Sequence, residues 1–259
     1  MTSRPSVRAL LVLAFAPFAA LGQGGPPLLT DDPGTPGPRR WEINVAWTLD
    51  RASHARVMGA PLVDANYGWG ERIQLKIEIP WVVLSEEGQP TGNGIGNPNL
   101  GVKWRFLDEE SAGIAVSTYP QLEVNLSGAS ADKGLVERRS QFLLPVSATK
   151  TLGPVALNGE VGGLFQSGEA PRWVWGLALG HGFPGGFEVL AELFGVTGTN
   201  AAARQTLLDL GFRWKLPGRA TILFSAGRSL GDGDGEGRHT RIYAGVQLAL
   251  GPPLISGDP

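Results

Sequence analysis

Hydrophobic and polar residues alternate along most of the chain after residue 40, most clearly between Glu71 and Leu107. The first part of this stretch has apolar residues at every odd position from Ile73 to Val83. The last part has them at every even position from Leu100 to Phe106. A period of two predicts a β-strand with two chemically different faces. The polar segment between the two parts, residues 85–98, predicts a hairpin with a long connection.

The same pattern recurs along the chain and predicts an all-β fold of about twelve strands. Most are about 10 residues long, the length that a tilted strand needs to cross a bilayer. Pro120 cannot donate a ladder hydrogen bond, so a bulge or break is expected there. The predicted strands are Trp41–Asp50, Val57–Trp69, Glu71–Leu84, Asn99–Leu107, Gly113–Asn125, Ser140–Lys150, Val155–Phe165, Trp173–Phe183, Phe187–Leu193, Leu208–Lys215, Thr221–Gly227 and Arg241–Leu250.

The predicted connections alternate between short and long. The short ones fall near 70, 108–111, 151–153, 184–186 and 217–218, and the long ones at 51–56, 85–98, 127–139, 166–171, 197–203 and 229–238. Short turns on one rim and long loops on the other are typical of an antiparallel up-and-down transmembrane β-barrel of the outer membrane. This plan places both ends of the barrel on the periplasmic, short-turn side.

The position of the aromatic residues indicates which way the apolar face points. A soluble barrel or sandwich has the same alternation with its apolar face inward. Here the aromatics lie near strand ends, as in the two girdles of a membrane barrel. Those near the short turns are Trp41, Tyr67, Trp69, Trp104, Phe106, Phe183, Phe187, Phe212 and Trp214. Those near the long loops are Trp47, Trp81, Phe142, Phe165, Trp173 and Trp175.

With the apolar face toward lipid, the opposite, charged face lines the lumen. The residues predicted there are Lys76, Glu78, Lys103, Arg105, Glu123, Glu188, Glu192, Asp209, Arg213 and Arg241. Their mixed signs argue against a ring selective for anions or for cations. Neighbouring strands are expected to set Lys76 and Glu78 beside Lys103 and Arg105.

The N-terminus predicts that the chain leaves the cytoplasm, and the composition narrows its possible partners. The 259 residues include no cysteine, and the net charge of −2 argues against nucleic acid as a partner. Arg4 and Arg8 precede an apolar run, 9–20, that is too short to span a bilayer and ends in small residues. This pattern predicts a signal peptide, 1–22. A Pro/Gly-rich lead-in (23–40), the barrel (41–250) and a tail (251–259) follow it.

The sequence predicts no enzyme, and no cofactor, metal or catalytic residue. The histidines are His54, His181 and His239, and no Gly-x-Ser-x-Gly motif accompanies them. The acidic run 231–237 begins like a calcium loop, but Tyr243 stands where the closing glutamate belongs, so weak cation binding there stays open. The glycine run 92–96 lies between strands and predicts a turn segment, not a nucleotide site.

Two segments carry a family resemblance. The lead-in 26–33, PPLLTDDP, is followed by Arg40-Trp41-Glu42, and 94–107 reads GIGNPNLGVKWRFL. Both resemble bacterial outer-membrane proteins catalogued as phenol-degradation (MetA-pathway) or transporter proteins. The resemblance implies a barrel that moves small molecules, aromatic ones among them. One departure is that the last strand ends in Leu250, where such chains usually end in an aromatic residue.

The sequence therefore predicts an outer-membrane channel for small solutes, with the solute, membrane lipid and the barrel-assembly machinery as partners. Two alternatives stay open. One is a closed structural or adhesion-type barrel that acts through its long loops. The other is a soluble secreted barrel that binds an apolar ligand.

Overall fold

A computed structural model of the protein describes residues 25–198, 204–231 and 238–252. The predicted signal peptide, most of the acidic run 231–237 and most of the tail lie outside these ranges. Two short helices are present in them, α1 (Glu109–Ala112) and α2 (Gly128–Asp132). The strands are β1 (Trp41–Arg51), β2 (Ala55–Trp69), β3 (Ile73–Glu86), β4 (Gly92–Ile95), β5 (Asn99–Leu107), β6 (Ala115–Thr118), β7 (Gln121–Glu123), β8 (Gln141–Leu152), β9 (Val155–Gln166), β10 (Arg172–Phe183), β11 (Phe187–Thr197), β12 (Arg204–Lys215), β13 (Ala220–Ser229) and β14 (Thr240–Leu250).

These segments form a closed antiparallel barrel of twelve strands. β4 and β5 both pair with β3, and β6 and β7 both pair with β8, so each of these two couples makes one barrel strand. β1 pairs with β14 from Trp41 opposite Leu250 to Arg51 opposite Thr240, which closes the sheet. The predicted fold and strand number are confirmed.

Prolines interrupt two of the barrel strands. Pro120 separates β6 from β7, as expected for a residue without an N–H group. Between β4 and β5, the Gly96 N–H donates to the Pro80 carbonyl over 2.8 Å, and Pro98 follows. The prediction that 92–96 is a turn segment is wrong, because β4 pairs with residues 81–84 of β3.

The outer surface is apolar between two aromatic rims. Leu177, Val161 and Leu210 are at least half exposed on strands of the barrel. At the short-turn end the ring centroids of Trp41 and Tyr67 lie 4.8 Å apart, and a run of neighbouring phenylalanines follows on β10–β13. Such a continuous exposed band is typical of a lipid-facing barrel. Within the described ranges no helix has the length and apolar character to cross a membrane.

Residues 25–34, called the lumen segment below, lie inside the barrel. The chain leaves the lumen at the short-turn rim, where Arg39 N–H donates to the Gly68 carbonyl and Gly68 N–H donates to the Arg40 carbonyl, both over 2.9 Å. A side chain at Gly68 would overlap the Gly37 carbonyl, so only glycine lets the chain pass. The lead-in forms no strand, as its proline and glycine content predicts.

At the opposite rim, one long loop folds over the lumen. This loop, residues 127–139, contains α2 and packs Leu135 against the inner face of β4. The Leu135 methyl groups would lie only 3.2 and 3.0 Å from Cβ atoms added at Gly92 and Gly94. Two amides hold it there: Asn97 Nδ2 and Asn125 Nδ2 donate to the Glu137 carbonyl over 3.0 and 2.7 Å. The loop therefore covers part of the long-loop mouth.

Candidate functional site: the lumen

Seven of the ten residues predicted to line the lumen are buried, and the other three, Arg105, Glu188 and Arg213, are half-buried toward the short-turn end. The inner face is not uniform, however, and two parts of it are named here. The polar wall consists of Asn44, Asp64, Asn66, Gln74, Lys76, Glu78 and Lys103 on β1, β2, β3 and β5. The apolar wall consists of Leu143, Leu164, Val174, Phe194, Val196 and Leu207 on β8–β12.

The polar wall is a connected network. Lys76 Nζ lies 2.9 Å from Glu78 Oε2 and 3.7 Å from Asp64 Oδ1. Gln74 Nε2 donates to Asn66 Oδ1 over 2.7 Å and to the Tyr119 hydroxyl over 3.1 Å. These side chains are buried, and each charge has an opposite charge beside it, which is what burial of ions requires.

The expectation that Lys76 and Glu78 stand beside Lys103 and Arg105 is wrong. In the β3–β5 pairing, Lys76 is opposite Gly101 and Gln74 is opposite Lys103. Arg105 instead turns to Asp108 at the short-turn rim, over 2.8 Å. The register differs because β4 occupies the end of β3, and β5 begins opposite Glu78.

The apolar wall was not predicted. It lies in the long-loop halves of β8–β12, where Val174 and Phe194 are fully buried on the inner face. Leu29 of the lumen segment packs into this wall. On the short-turn side of it, Leu28 packs against Ala178 and Leu190 in a second, smaller apolar cluster.

Side chains from several strands bind the backbone of the lumen segment. Glu192 accepts hydrogen bonds from the N–H groups of Leu29 (3.0 Å) and Thr30, and Glu160 accepts one from Asp31 N–H (3.2 Å). These carboxylates have no arginine or lysine within ion-pair distance among the described residues. Their hydrogen bonds come instead from the backbone N–H groups of the segment and, for Glu160, also from the Ser147 hydroxyl over 2.9 Å.

Lys103 holds the segment from the opposite side. Its ammonium group lies 2.9 Å from Asp31 Oδ1 and donates to the carbonyls of Asp32 (2.7 Å) and Gly34 (3.1 Å). The group is buried, and the Tyr119 ring centroid is 4.9 Å away. The single Lys103 ammonium group thus binds three residues of the turn that follows Thr30: Asp31, Asp32 and Gly34.

Two further side chains bind the beginning of the segment. Arg213 donates to the carbonyls of Pro26 (Nε, 2.8 Å) and Gly25 (Nη2, 3.0 Å), and Ser225 Oγ donates to the Pro27 carbonyl (3.0 Å). Asp209 accepts from the same Ser225 hydroxyl over 3.1 Å. Three of the predicted lumen residues, Lys103, Glu192 and Arg213, therefore bind the lumen segment directly.

The barrel wall also fits the segment sterically at Gly176. This residue faces inward on β10, and a Cβ atom there would overlap the Thr30 hydroxyl. Glycine at this position therefore lets the segment lie against the wall.

A cavity of about 980 Å³ opens at the short-turn mouth beneath the lumen segment. Its wall combines apolar Leu28 and Leu190 with charged Arg105, Glu188 and Arg213. Arg213 Nη1 lies 3.4 Å from Glu188 Oε2. The mouth of the lumen can therefore contact both an apolar and a charged part of a small molecule.

One carboxylate braces the rim of this cavity. Glu109 in α1 accepts hydrogen bonds from Thr151 N–H (2.6 Å) and the Thr151 hydroxyl (2.9 Å). These bonds to Thr151 hold the pKa of Glu109 below its usual value. They join the β5–β6 turn to the end of β8, so the rim keeps its shape.

The other predicted lumen residues lie apart from the segment contacts. Glu123 accepts from Asn97 Nδ2 over 2.7 Å. Arg241 is buried on the inner face of β14, and within the described ranges its Nε and Nη1 atoms have no hydrogen-bond partner. The same holds for Tyr243 Oη, Asn44 Oδ1 and Asp209 Oδ1. One side of the lumen therefore keeps polar atoms available.

The histidines form no catalytic or metal arrangement in the described part of the chain. His54 pairs with Glu87 over 2.7 Å on the exposed rim, and His181 lies beside the Phe183 ring. His239 donates its backbone N–H to Ser229 Oγ. Across the same ranges, no three His, Asp or Glu side chains group as a metal site would need.

Solved structures of outer-membrane barrels share this fold. They include the COG4313 outer membrane channel from Pseudomonas putida F1 (TM-score 0.64, 14% identity, 82% of this chain and 95% of that chain). A NanC porin matches with TM-score 0.58 and 11% identity over 80% of this chain and 100% of that chain. A KdgM porin in complex with oligogalacturonate matches with TM-score 0.56 and 12% identity over 80% and 99%. No family model and no curated protein matches the sequence.

Proposed function

We propose that the protein is an outer-membrane channel for the passive passage of small solutes, and that the lumen segment fills its path at rest. The observation that carries this proposal is a lumen with two unlike walls that opens at the short-turn mouth into a cavity of about 980 Å³. The apolar outer band supports the membrane location. The channel and porin folds among the structural neighbours support the same class of function.

The two walls favour small amphipathic solutes, with aromatic compounds as the best fit. Ligand sites generally combine apolar surface with a few placed polar groups. Val174 and Phe194, which Leu29 covers at rest, would offer the apolar surface once the segment moves, and the polar wall lies across the lumen from them. The resemblance to the MetA-pathway proteins points to the same solute class.

The buried polar atoms without protein partners favour a hydrated route beside the segment. Polar atoms in protein interiors are normally hydrogen-bonded. Arg241 and Tyr243 carry such atoms on β14, and Asp209 carries one on β12, at the edge of the apolar wall. Water or the polar part of a solute would satisfy them.

The alternative is a barrel that stays closed and acts through its long loops. The number of contacts to the lumen segment favours it, because Lys103, Glu160, Glu192, Arg213 and Ser225 all bind the segment. A segment bound at so many points would have to be displaced for wide opening.

Planar-bilayer recording of the refolded full chain and of a variant that lacks residues 25–34 separates these functions. The wild type is expected to show small, resolved conductance steps, and the variant several-fold larger ones. The permeability ratio of benzenesulfonate to butanesulfonate, measured from reversal potentials, is expected to favour the aromatic anion. Heat-modifiable gel mobility verifies that both proteins fold.

Three outcomes would overturn the proposal in different ways. A folded variant without any conductance would establish the closed barrel. Equal permeability of the two sulfonates would remove the aromatic preference. A protein that stays in solution without detergent after fractionation would remove the membrane location itself.

A further inference from the structure

A row of arginines crosses the outer surface at the long-loop end of the barrel. Arg228 on β13 is opposite Thr240 on β14, which is opposite Arg51 on β1. Arg51 is opposite Arg56 on β2, and Arg56 is opposite Ser85 on β3. Arg51, Arg56 and Arg228, called the arginine row below, are all exposed.

The arginine row marks the end of the apolar outer surface. Directly opposed residues in a sheet share one face, and every second residue returns to that face. One step toward the short turns, the same five strands carry an apolar row. Its members are Ala226, Ile242, Leu49, Met58 and Val83. The outer surface thus changes from apolar to basic within two residues of each strand.

The arginine row lacks the acidic partners that other rim arginines have. Arg138 pairs with Asp132, and Arg139 and Arg172 each lie within 4.0 Å of Glu169. In the described part of the chain, no carboxylate lies that close to the arginine row. The nearby Glu87 is bound by His54 instead.

The placement of Arg51 directly opposite Arg56 calls for an anion. Like charges opposed across two strands destabilise a sheet, and an anion between them removes the repulsion. Guanidinium groups bind phosphate oxygens in pairs of parallel hydrogen bonds, which makes arginine a preferred phosphate ligand. Both side chains also line a shallow cleft of about 360 Å³, together with Ser85, Glu86 and Glu87.

We infer that the arginine row binds the phosphate groups of the phosphorylated glycolipid of the outer leaflet, the lipid A class. The inference rests on the proposed function, with the short turns on the periplasmic side, as the sequence predicts, and the long loops therefore outside the cell. Two strand spacings separate Arg228 from Arg51, about 10 Å, so the row can contact two separate phosphates. The acyl chains then cover the apolar row one step below, next to Leu49 and Met58.

The test compares lipid retention by the full chain and by a triple variant, Arg51→Gln, Arg56→Gln and Arg228→Gln. A matched control removes three other exposed rim cations, Lys133→Gln, Arg138→Gln and Arg139→Gln. Native mass spectrometry counts the lipid A retained by each refolded protein. The triple variant is expected to retain at least about tenfold less lipid A than the wild type, because basic clusters dominate binding to anionic lipids. The control variant is expected to retain an amount within about twofold of the wild type.

A second arm uses dephosphorylated lipid A, which the wild type is expected not to retain. Retention of lipid A by the triple variant at the wild-type level would overturn the inference, and so would equal retention of the dephosphorylated lipid by the wild type. Conductance in phosphatidylcholine bilayers, which contain no glycolipid, is measured in parallel. It is expected to be unchanged in the triple variant. If lipid A retention does not depend on the arginine row while the wild type conducts, only this inference is overturned. If the wild type does not conduct, the proposed channel function is overturned.

Discussion

The polar wall and the apolar wall of the lumen both contact residues 25–34, by different chemistry. On the polar wall, Lys103 binds the Asp31 carboxylate and two carbonyls. On the apolar wall, Leu29 packs among aliphatic side chains and Phe194 without a directional bond. The first contact fixes where each atom of the segment lies, and the second contributes energy that depends on the area buried.

The polar contact therefore determines where the segment docks, and the apolar contact contributes to how tightly it docks. A buried ion pair contributes little net stability, yet removal of one partner is costly because the other charge stays buried. Apolar packing has no such dependence on a partner charge, and its loss scales with the cavity left behind. Two substitutions, one on each side, therefore test whether the segment is held mainly by Lys103 or mainly by Leu29.

The largest effect is expected for Lys103→Met. It leaves Asp31 without its cation and weakens docking of the lumen segment by about 3–5 kcal/mol. Bilayer conductance is expected to rise toward that of the variant that lacks residues 25–34. Adding Asp31→Asn removes the stranded charge and is expected to restore much of the resting conductance. Lys133→Met, on the exposed loop, is the control, and unchanged conductance in Lys103→Met would contradict the polar anchor.

Leu29→Ala is expected to act next most strongly. It leaves a cavity in the apolar wall and costs about 3 kcal/mol of docking free energy. The same recordings measure it, as more frequent openings. Leu126→Ala is the matched control, because Leu126 is 74% exposed. If Leu29→Ala opens the channel more than Lys103→Met, the apolar wall is the main anchor.

Gly176→Ala is expected to have a smaller effect. The added methyl group overlaps the Thr30 hydroxyl and costs about 1–3 kcal/mol, as overpacking usually does. Gly159→Ala on the neighbouring strand is the control, because a Cβ atom there meets nothing within 4 Å. Combining Gly176→Ala with Thr30→Gly is expected to return the conductance toward the wild type. No response to either substitution would mean that the segment does not contact β10 in the membrane.

Arg138→Gln is expected to change least. It breaks an ion pair with Asp132 in which both side chains are more than half exposed. Such surface pairs contribute no more than about 1 kcal/mol. The temperature of the heat-modifiable gel shift is expected to stay within error of the wild type, with conductance unchanged. A loss as large as that of Lys103→Met would show that burial does not explain the difference between the two pairs.

The barrel follows from local pattern, and the lumen segment does not. Period-two alternation is a property of each strand, so it predicts the strand number. The break at Pro120 follows from the missing N–H group of proline. The lumen segment has no such period. Its bonds to the barrel wall join positions 69–198 residues apart, as between Gly34 and Lys103 or Pro27 and Ser225. A local pattern cannot report contacts over that distance.

A sequence signal for the filled lumen was nevertheless present. Leu164, Val174 and Phe194 are large apolar residues on the face that otherwise carries charges. Strands that are apolar on both faces indicate burial on both sides. The β3–β5 register was harder to foresee, because the connection of 14 residues does not determine which residues pair. The register is determined by β4, whose glycine-rich sequence does not show a strand pattern.

The seam between β1 and β14 also decides the order in which the molecule can form. Among the described strands, every other pairing joins segments that are close in the chain. The β1–β14 pairing, in which Trp41 is opposite Leu250, joins the two ends of the barrel. Until that seam closes, the sheet has two free edges, which are prone to wrong pairing. The Glu192 and Lys103 contacts can form within an open sheet, so the segment is in place to serve as a core around which the sheet curls.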